Sequence, residues 1–210
     1  MNKSIHLLFL VLISISFFLS LNALYLARSE RVYQVLTLRA SHEQLSESDR
    51  LLLGSHLQRA LLDKSSIQFR SSQGLDLFSS KEVIHMLDVA SLLQKVFLWM
   101  LFSAILLMLG IKSSAPLNYL FCKKIGLYSF GTLVLLGLLF FLFFPPLFHF
   151  FHIFSFSNDF WLLDPKTDFL IRIFPLAFFQ IALGWVLSGS VLMSVLFWLG
   201  IPKFFTSRNS

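Results

Sequence analysis

The chain has 210 residues, of which 56% are hydrophobic and only 13% are charged, and its formal net charge is +6. A soluble domain carries about twice this share of charged residues. The composition excludes an intrinsically disordered chain and a nucleic-acid-binding module, and the single cysteine excludes a fold held by internal disulfides. It predicts an integral membrane protein.

Four stretches are long and apolar enough to cross a bilayer, which requires about 20 residues. They are residues 5–26, 89–111, 125–147 and 176–201. The first is longer than the apolar part of a secretory signal, which has roughly 7–15 residues, and it lacks a small-x-small cleavage site. We therefore expect an all-α membrane protein with four transmembrane helices, the first of them uncleaved.

The distribution of Lys and Arg predicts the orientation of these spans. With four spans, both termini lie on the same side as the loop 112–124. This side carries six cations and no acidic residue: Lys3, Lys112, Lys123, Lys124, Lys203 and Arg208. The rest of the chain has equal numbers of basic and acidic residues, so the net charge of +6 belongs to this face. The positive-inside rule predicts that it is cytoplasmic and that segments 27–88 and 148–175 are extracytoplasmic.

The pattern of the first outer segment, 27–88, predicts a small helical domain between spans one and two. Ser46 and Asp49 have the spacing of a helix N-cap, and apolar residues follow at helical intervals. Ser79 and Glu82 form a second capping box, and no Gly or Pro interrupts the chain from there into span two. We expect two or three short amphipathic helices here.

The helix that begins at Ser79 carries the first group of residues with catalytic potential. Glu82, His85 and Asp88 are successive i, i+3 neighbours, so carboxylate, imidazole and carboxylate share one stripe. An imidazole held by a carboxylate has a fixed tautomer and suits general acid–base chemistry near neutral pH. The same pattern is also compatible with a solvated turn just before the membrane.

The second outer segment, 148–175, adds further polar residues at the outer membrane border. Pro145 and Pro146 are expected to break span three just before it. Two imidazoles, three carboxylates and a guanidinium then lie among aromatic residues: His149, His152, Asp159, Asp164, Asp168 and Arg172. Polar groups at this depth are costly without partners and indicate function, although the aspartates also suit caps and turns.

Two motifs in these segments resemble a known family. The first is Glu82-x-x-His85-Met86-x-Asp88-Val89. The second combines Phe151-His152, a Trp-x-x-Asp-Pro-x-Thr-Asp-x-Leu-Ile run over 161–171 and Pro-x-x-Phe-Phe over 175–179. In this order and at this membrane depth they resemble the bacterial lipoprotein intramolecular transacylases (Lit), and the likeness extends to the span count. Ser155 and Leu176 depart from the family pattern, which more often has an aromatic and an acidic residue there.

The resemblance implies an acyltransferase. Such an enzyme moves the sn-2 acyl chain of a diacylglyceryl lipoprotein to the α-amine of its own N-terminal cysteine and so produces a lyso-form lipoprotein. The resemblance implies a bacterial cytoplasmic (inner) membrane protein with its active site on the extracytoplasmic side. Its partners would be diacylglyceryl lipoproteins and membrane lipid, with no cofactor, metal or nucleic acid.

Residue roles follow from the resemblance as hypotheses. His85, steered by Glu82 or Asp88, is expected to deprotonate the amine. His152, with His149 as a possible helper, is expected to polarise the ester carbonyl or protonate the leaving alkoxide, and the two roles can be exchanged. Four further residues are expected to shape the loop or bind the glyceryl and peptide parts of the substrate: Trp161, Asp164, Asp168 and Arg172.

A metal site is the main alternative. Glu82-x-x-His85 and His149-x-x-His152 are also spacings of metal-binding helices. The same residues would then belong to a metal-binding membrane protein or a metal-dependent membrane hydrolase. A haem-binding cytochrome and a structural or chaperone-like membrane protein are weaker alternatives. The metal content of the purified protein separates the metal class from the transacylase.

Overall fold

The computed structural model of the protein describes residues 3–39, 45–64, 67–74, 76–113 and 119–199. In this part of the chain the regular structure is helical, apart from one isolated bridge between Arg70 and Asp76. The helices are α1 (Lys3–Ala27), α2 (Glu30–Arg39), α3 (Glu47–Asp63), α4 (Ser80–Ser113), α5 (Tyr119–Ser155), α6 (Leu170–Ile173) and α7 (Leu176–Leu199).

Four of these helices contain segments that are long and apolar enough to cross a membrane. The segments are Lys3–Ala27, Ser80–Lys112, Phe121–Ser155 and Leu176–Leu199. This confirms the predicted class, an all-α membrane protein with four spans. Residues 114–118 of the predicted loop, the end of the predicted fourth span at 200–201, and Lys203 and Arg208 lie outside the described residues.

The third long helix differs from the prediction. We expected Pro145 and Pro146 to end it and the following residues to form a loop, but α5 continues to Ser155. The expected break is present as a kink, with non-helical dihedral angles at Phe143 (φ −124°, ψ 28°), but a second helical segment follows it where a loop was expected. Proline lacks an N–H and clashes with the preceding turn, but it is well tolerated in the first turn of a helix. The two prolines therefore open a new helical segment, and this segment carries His149 and His152.

The chain divides into two compact units. The first comprises Met1–Ala23, Val96–Phe144 and Leu183–Ser210. Its described helices pack through apolar side chains and a few polar contacts, such as the 2.7 Å hydrogen bond between the hydroxyls of Ser14 and Ser129. Close helix packing at small and hydroxylated residues is typical of membrane helices, because lipid offers no other hydrogen-bond partner.

The second unit comprises Leu24–Lys95 and Pro145–Ala182. Its core includes Leu53, Leu57 and Ile173, which are all nearly inaccessible to solvent. Helices α2 and α3 approach closely at Gly54, where a Cβ atom would lie 2.8 Å from the backbone of Gln34. Both N-caps predicted in this region are confirmed, because Ser46 and Ser79 accept hydrogen bonds from Asp49 N–H and Glu82 N–H. All the candidate site residues belong to this unit.

Candidate active site

A buried carboxylate organises the start of α4. Glu82 is 1% exposed, and its Oε2 accepts hydrogen bonds from both the N–H and the hydroxyl of Ser79, each 2.8 Å long. Its Oε1 accepts a 2.6 Å hydrogen bond from the N–H of Leu170, the first residue of α6. The Glu82 side chain thus connects the first turn of α4 to the second outer segment. This differs from the expectation that it steers His85.

The two candidate histidines lie side by side. His85 comes from α4 and His152 from the last turns of α5, and each is 8% exposed. Their ring centroids are 6.1 Å apart, and the ring of Phe156 packs edge-on against His85 at 5.1 Å. The Nδ1 of His85 is buried and has no hydrogen-bond partner among the described residues. A buried nitrogen without a partner is uncommon and calls for an explanation, such as a catalytic role or an ordered water.

The tautomer of His152 is fixed by the backbone of α5. Its Nδ1 lies 2.7 Å from the carbonyl oxygen of Phe148, one turn earlier on the helix. A carbonyl oxygen only accepts hydrogen bonds, so Nδ1 must carry the proton, and proton exchange is left to Nε2. Aromatic rings surround the imidazole, with centroids between 4.4 and 5.7 Å away: Phe148, Phe151, Phe156 and Trp161.

Asp88 is linked to the second outer segment. It lies one turn after His85 on α4, and its Oδ2 accepts a 2.9 Å hydrogen bond from the side-chain amide of Asn158. The other end of the Asn158 amide accepts a hydrogen bond from the N–H of Phe160. Because both ends of this amide are used, Asn158 fixes the position of one Asp88 oxygen next to the histidine pair.

The loop between α5 and α6 is held by Asp168. This carboxylate is 5% exposed and accepts hydrogen bonds from the Lys81 ammonium at 2.8 Å and from the N–H of Asp164 at 2.7 Å. Burial acts to raise the pKa of the Asp168 carboxyl, but the bonds from Lys81 and the Asp164 N–H outweigh it, and the pKa is lowered from its ordinary value. Lys81 also donates to the carbonyl oxygen of Leu162, which fixes the middle of the loop.

The comparison with protein families identifies the chain. A family model described as lipoprotein intramolecular transacylase Lit matches residues 2–179. The chain belongs to this family. It is therefore an acyltransferase of the membrane, as both sequence motifs predicted. A search of curated proteins finds no significant match.

Solved structures of Lit share the fold. The membrane-integral lipoprotein intramolecular transacylase Lit from Bacillus cereus superimposes with a TM-score of 0.76 at 18% identity, covering 98% of this chain and 96% of that one. A variant of that protein with one histidine replaced by arginine gives 0.74 at 21% identity, covering 98% and 92%. A variant with the same histidine replaced by alanine gives 0.75 at 19% identity, covering 98% and 94%.

In this Lit chain, the residues predicted from the sequence fall into two groups. His85, His152 and Trp161 lie together, and His149 packs edge-on against Trp161 with ring centroids 5.1 Å apart. Four others make structural contacts. Asp164 and Asp168 bind loop N–H groups, Arg172 lies over the ring of Phe169, and Glu82 caps α4.

Two residues of the site were not predicted. Asn158 and Lys81 were not among the candidates named from the sequence, yet they bind Asp88 and Asp168. These partners are 70 and 87 residues apart in sequence. The one signal available was the polarity of both segments at the membrane border, which indicates that partners exist without naming them.

The described part of the chain contains no ligand set for the metal site that the sequence left as an alternative. No group of three or more His, Cys, Asp or Glu side chains is placed there to hold an ion. A structural or catalytic zinc site needs at least three protein ligands. Of the carboxylates expected to join the histidines, Glu82 binds Ser79 and Leu170, and Asp88 accepts from Asn158.

Proposed function

We propose that the chain moves the sn-2 acyl chain of a diacylglyceryl lipoprotein to the α-amine of the N-terminal cysteine of the same molecule. The observation that carries this proposal is the pair of buried imidazoles, 6.1 Å apart, contributed by α4 and α5. Membership of the transacylase family supplies the reaction class.

The reaction requires orientation and proton transfer rather than a covalent acyl-enzyme. The amine nitrogen attacks the sn-2 ester carbonyl and closes a ring of eight atoms through the thioether. The C–N bond forms, the bond between the acyl carbon and the glyceryl oxygen breaks, and one proton passes from nitrogen to that oxygen. Because nucleophile and ester belong to one molecule, correct orientation alone lowers the barrier by up to about 7–11 kcal/mol.

In this proposal the two histidines divide the proton transfer. His85 accepts the proton from the attacking amine, and its unpartnered Nδ1 is the group that a substrate hydrogen bond would satisfy. His152 protonates the leaving sn-2 oxygen through Nε2, because Phe148 occupies its Nδ1. The Phe148 carbonyl accepts from Nδ1–H in both protonation states of the ring, so it holds the ring in place throughout. The cycle is complete when His85 has released the proton it accepted and His152 has been protonated again.

The remaining residues would hold these two groups in place. We propose that Asp88, fixed by Asn158, supports the positive charge that forms on His85 during attack. Trp161 packs against both His149 and His152 and would form a wall against which the glyceryl group lies. Asp164, Asp168 and Arg172 would act on substrate through the shape of the loop.

A direct assay uses purified protein and a synthetic diacylglyceryl lipopeptide. Intramolecular transfer leaves the mass unchanged, so tandem mass spectrometry must locate one acyl chain on the α-nitrogen. Mild alkali should release one fatty acid from the product and two from the substrate, because an amide survives and an ester does not. His85→Ala protein is the control. Release of free fatty acid with a gain of water would indicate a hydrolase and overturn the proposal.

We propose that the protein lies in the bacterial cytoplasmic membrane, with both termini in the cytoplasm and the histidine pair on the opposite face. The support is the charge of the predicted inner face, which has six cations and no acidic residue. A cytoplasm-dependent reporter should be active after Lys124 or Ser210 and inactive after Ser71 or Asp168. The reverse pattern would place the histidines away from the amine of a processed lipoprotein and overturn this orientation.

A further inference from the structure

A polar cleft opens next to the histidine pair, along α4. It has a volume of about 140 Å³, and its lining includes Asp88, Ser91, Lys95, Ser157 and Asn158. Asp88 lies one helical turn beyond His85, and Lys95 lies roughly 10 Å farther along the helix axis, at 1.5 Å per residue. The cleft thus runs from Asp88, one turn beyond His85, into the part of α4 predicted to cross the membrane.

Lys95 is an unpaired cation in this cleft. Its side chain is exposed, and it forms no salt bridge with any residue that the structure describes. Asp88, the carboxylate of the cleft, accepts from Asn158. An ammonium in a membrane-spanning segment is costly unless a partner accepts its hydrogen bonds. Because Cα–Cβ bonds on a helix tilt toward its N-terminus and a long lysine side chain can bend along the surface, we expect the ammonium to extend toward the Asp88 end of the cleft.

The substrate has a group that matches this position. A diacylglyceryl lipoprotein carries two esters on neighbouring glyceryl carbons, and intramolecular attack fixes the sn-2 ester beside the amine. The second ester must then lie one carbon away, on the membrane side, where its chain continues into the lipid. Its carbonyl oxygen is a hydrogen-bond acceptor of the kind that the Lys95 ammonium needs.

We infer that this cleft binds the ester of the acyl chain that is not transferred, with Lys95 donating to its carbonyl oxygen. The inference rests on the proposed function. Lys95 is then a specificity-determining residue: holding the second ester in the cleft leaves the sn-2 ester to face the amine and the two imidazoles. Lys95 contributes to substrate binding and not to proton transfer, so its loss acts on KM rather than kcat.

The test compares two lipopeptides that differ only in how the retained chain is linked to the glyceryl group, through an ester or through an ether. Both carry the sn-2 ester, but in the second the retained chain is attached through an ether and lacks the carbonyl. For the diester, Lys95→Met should raise KM about tenfold, as expected for the loss of a hydrogen bond of about 1.4 kcal/mol, with kcat within about twofold. Lys95→Arg should recover most of the affinity. The control Lys112→Met, at the other end of α4, should match the unmodified protein.

The ether substrate decides the interpretation. The unmodified protein should bind it about tenfold more weakly than the diester, and Lys95→Met should change nothing further. Equal KM values for the two lipopeptides with the unmodified protein would overturn the inference, even if Lys95→Met does not fold. A loss of the same size on both substrates would overturn it as well, and would indicate a general contact with lipid headgroups. If the unmodified protein forms no N-acyl product from either, the proposed function itself fails.

Discussion

Replacing Glu82 by Gln tests whether this carboxylate supports the fold or acts on His85. The carboxylate accepts three hydrogen bonds, two from Ser79 and one from the N–H of Leu170, and it is 1% exposed. Gln has nearly the same shape but offers one acceptor oxygen and one donor. Its oxygen can accept hydrogen bonds from either Ser79 or Leu170, and its NH₂ group must then face the other donor.

The magnitude follows from the donors left without a partner. If the amide oxygen stays with Ser79, the N–H of Leu170 and the new NH₂ group are both buried and unsatisfied. Each such group costs about 1–3 kcal/mol, so Glu82→Gln should lower the free energy of unfolding by about 2–6 kcal/mol. For a chain of this size the smallest of these values corresponds to a fall in Tm of at least about 4 °C.

Thermal unfolding in detergent, followed together with activity, measures the effect. Glu47→Gln is the matched control, since Glu47 also lies in the first turn of a helix but is exposed. It should leave Tm within a degree or so. A Glu82→Gln protein with unchanged Tm and a lost reaction would refute the reasoning, because the carboxylate would then act on His85, as the sequence alone suggested.

The remaining predictions concern the histidines, Asp88 and the loop. His85→Ala and His152→Ala should each lower the transfer rate by about 10²–10⁴-fold at normal protein levels, and the double variant should be scarcely slower in the same lipopeptide assay, because the two act in one sequence. Asn158→Leu should reduce kcat to about the same extent as Asp88→Asn, with little further loss when both are changed. Independent losses would show that Asn158 does not act through Asp88. Because the pKa of Asp168 is lowered in the folded protein, its ionised carboxylate contributes fully to the stability of the loop above the unfolded pKa of about 3.9. This contribution is lost as the pH falls through the pKa of the folded state. Proteolysis of the 157–168 loop should therefore increase below about pH 4, and Asp168→Asn should remove that dependence.

The sequence predicted those parts of the fold that depend on local pattern. Four apolar stretches predict four spans because a bilayer imposes one minimum length, and the N-caps at Ser46 and Ser79 depend on residues three positions apart. The continuation of α5 to Ser155 was missed. Pro145 and Pro146 end one helical segment and start the next, and the sequence alone does not tell which of these effects dominates.

The contacts of the site could not be predicted in the same way. The family motifs named His85 and His152, but the packing of one ring against the other depends on how α4 and α5 meet. Glu82 was assigned to His85 because both lie on one stripe of α4. In the fold it binds the N–H of Leu170, which is 88 residues away in sequence. A helical stripe identifies which side chains face the same way and does not show which distant donor is nearest.

Successive turns at the start of α4 each carry one connection to the segment 148–175. Lys81 and Glu82 bind Asp168 and Leu170, His85 contacts His152, and Asp88 accepts from Asn158. The imidazole pair therefore lies between two hydrogen-bonded connections, one on each side along the helix. A reaction whose nucleophile and ester belong to one flexible molecule depends on orientation, and an imidazole free to move by about 0.5 Å would lose much of that advantage. The hydrogen-bonded connections that flank the histidines thus add to the aromatic packing around them and hold the two rings in one relative orientation.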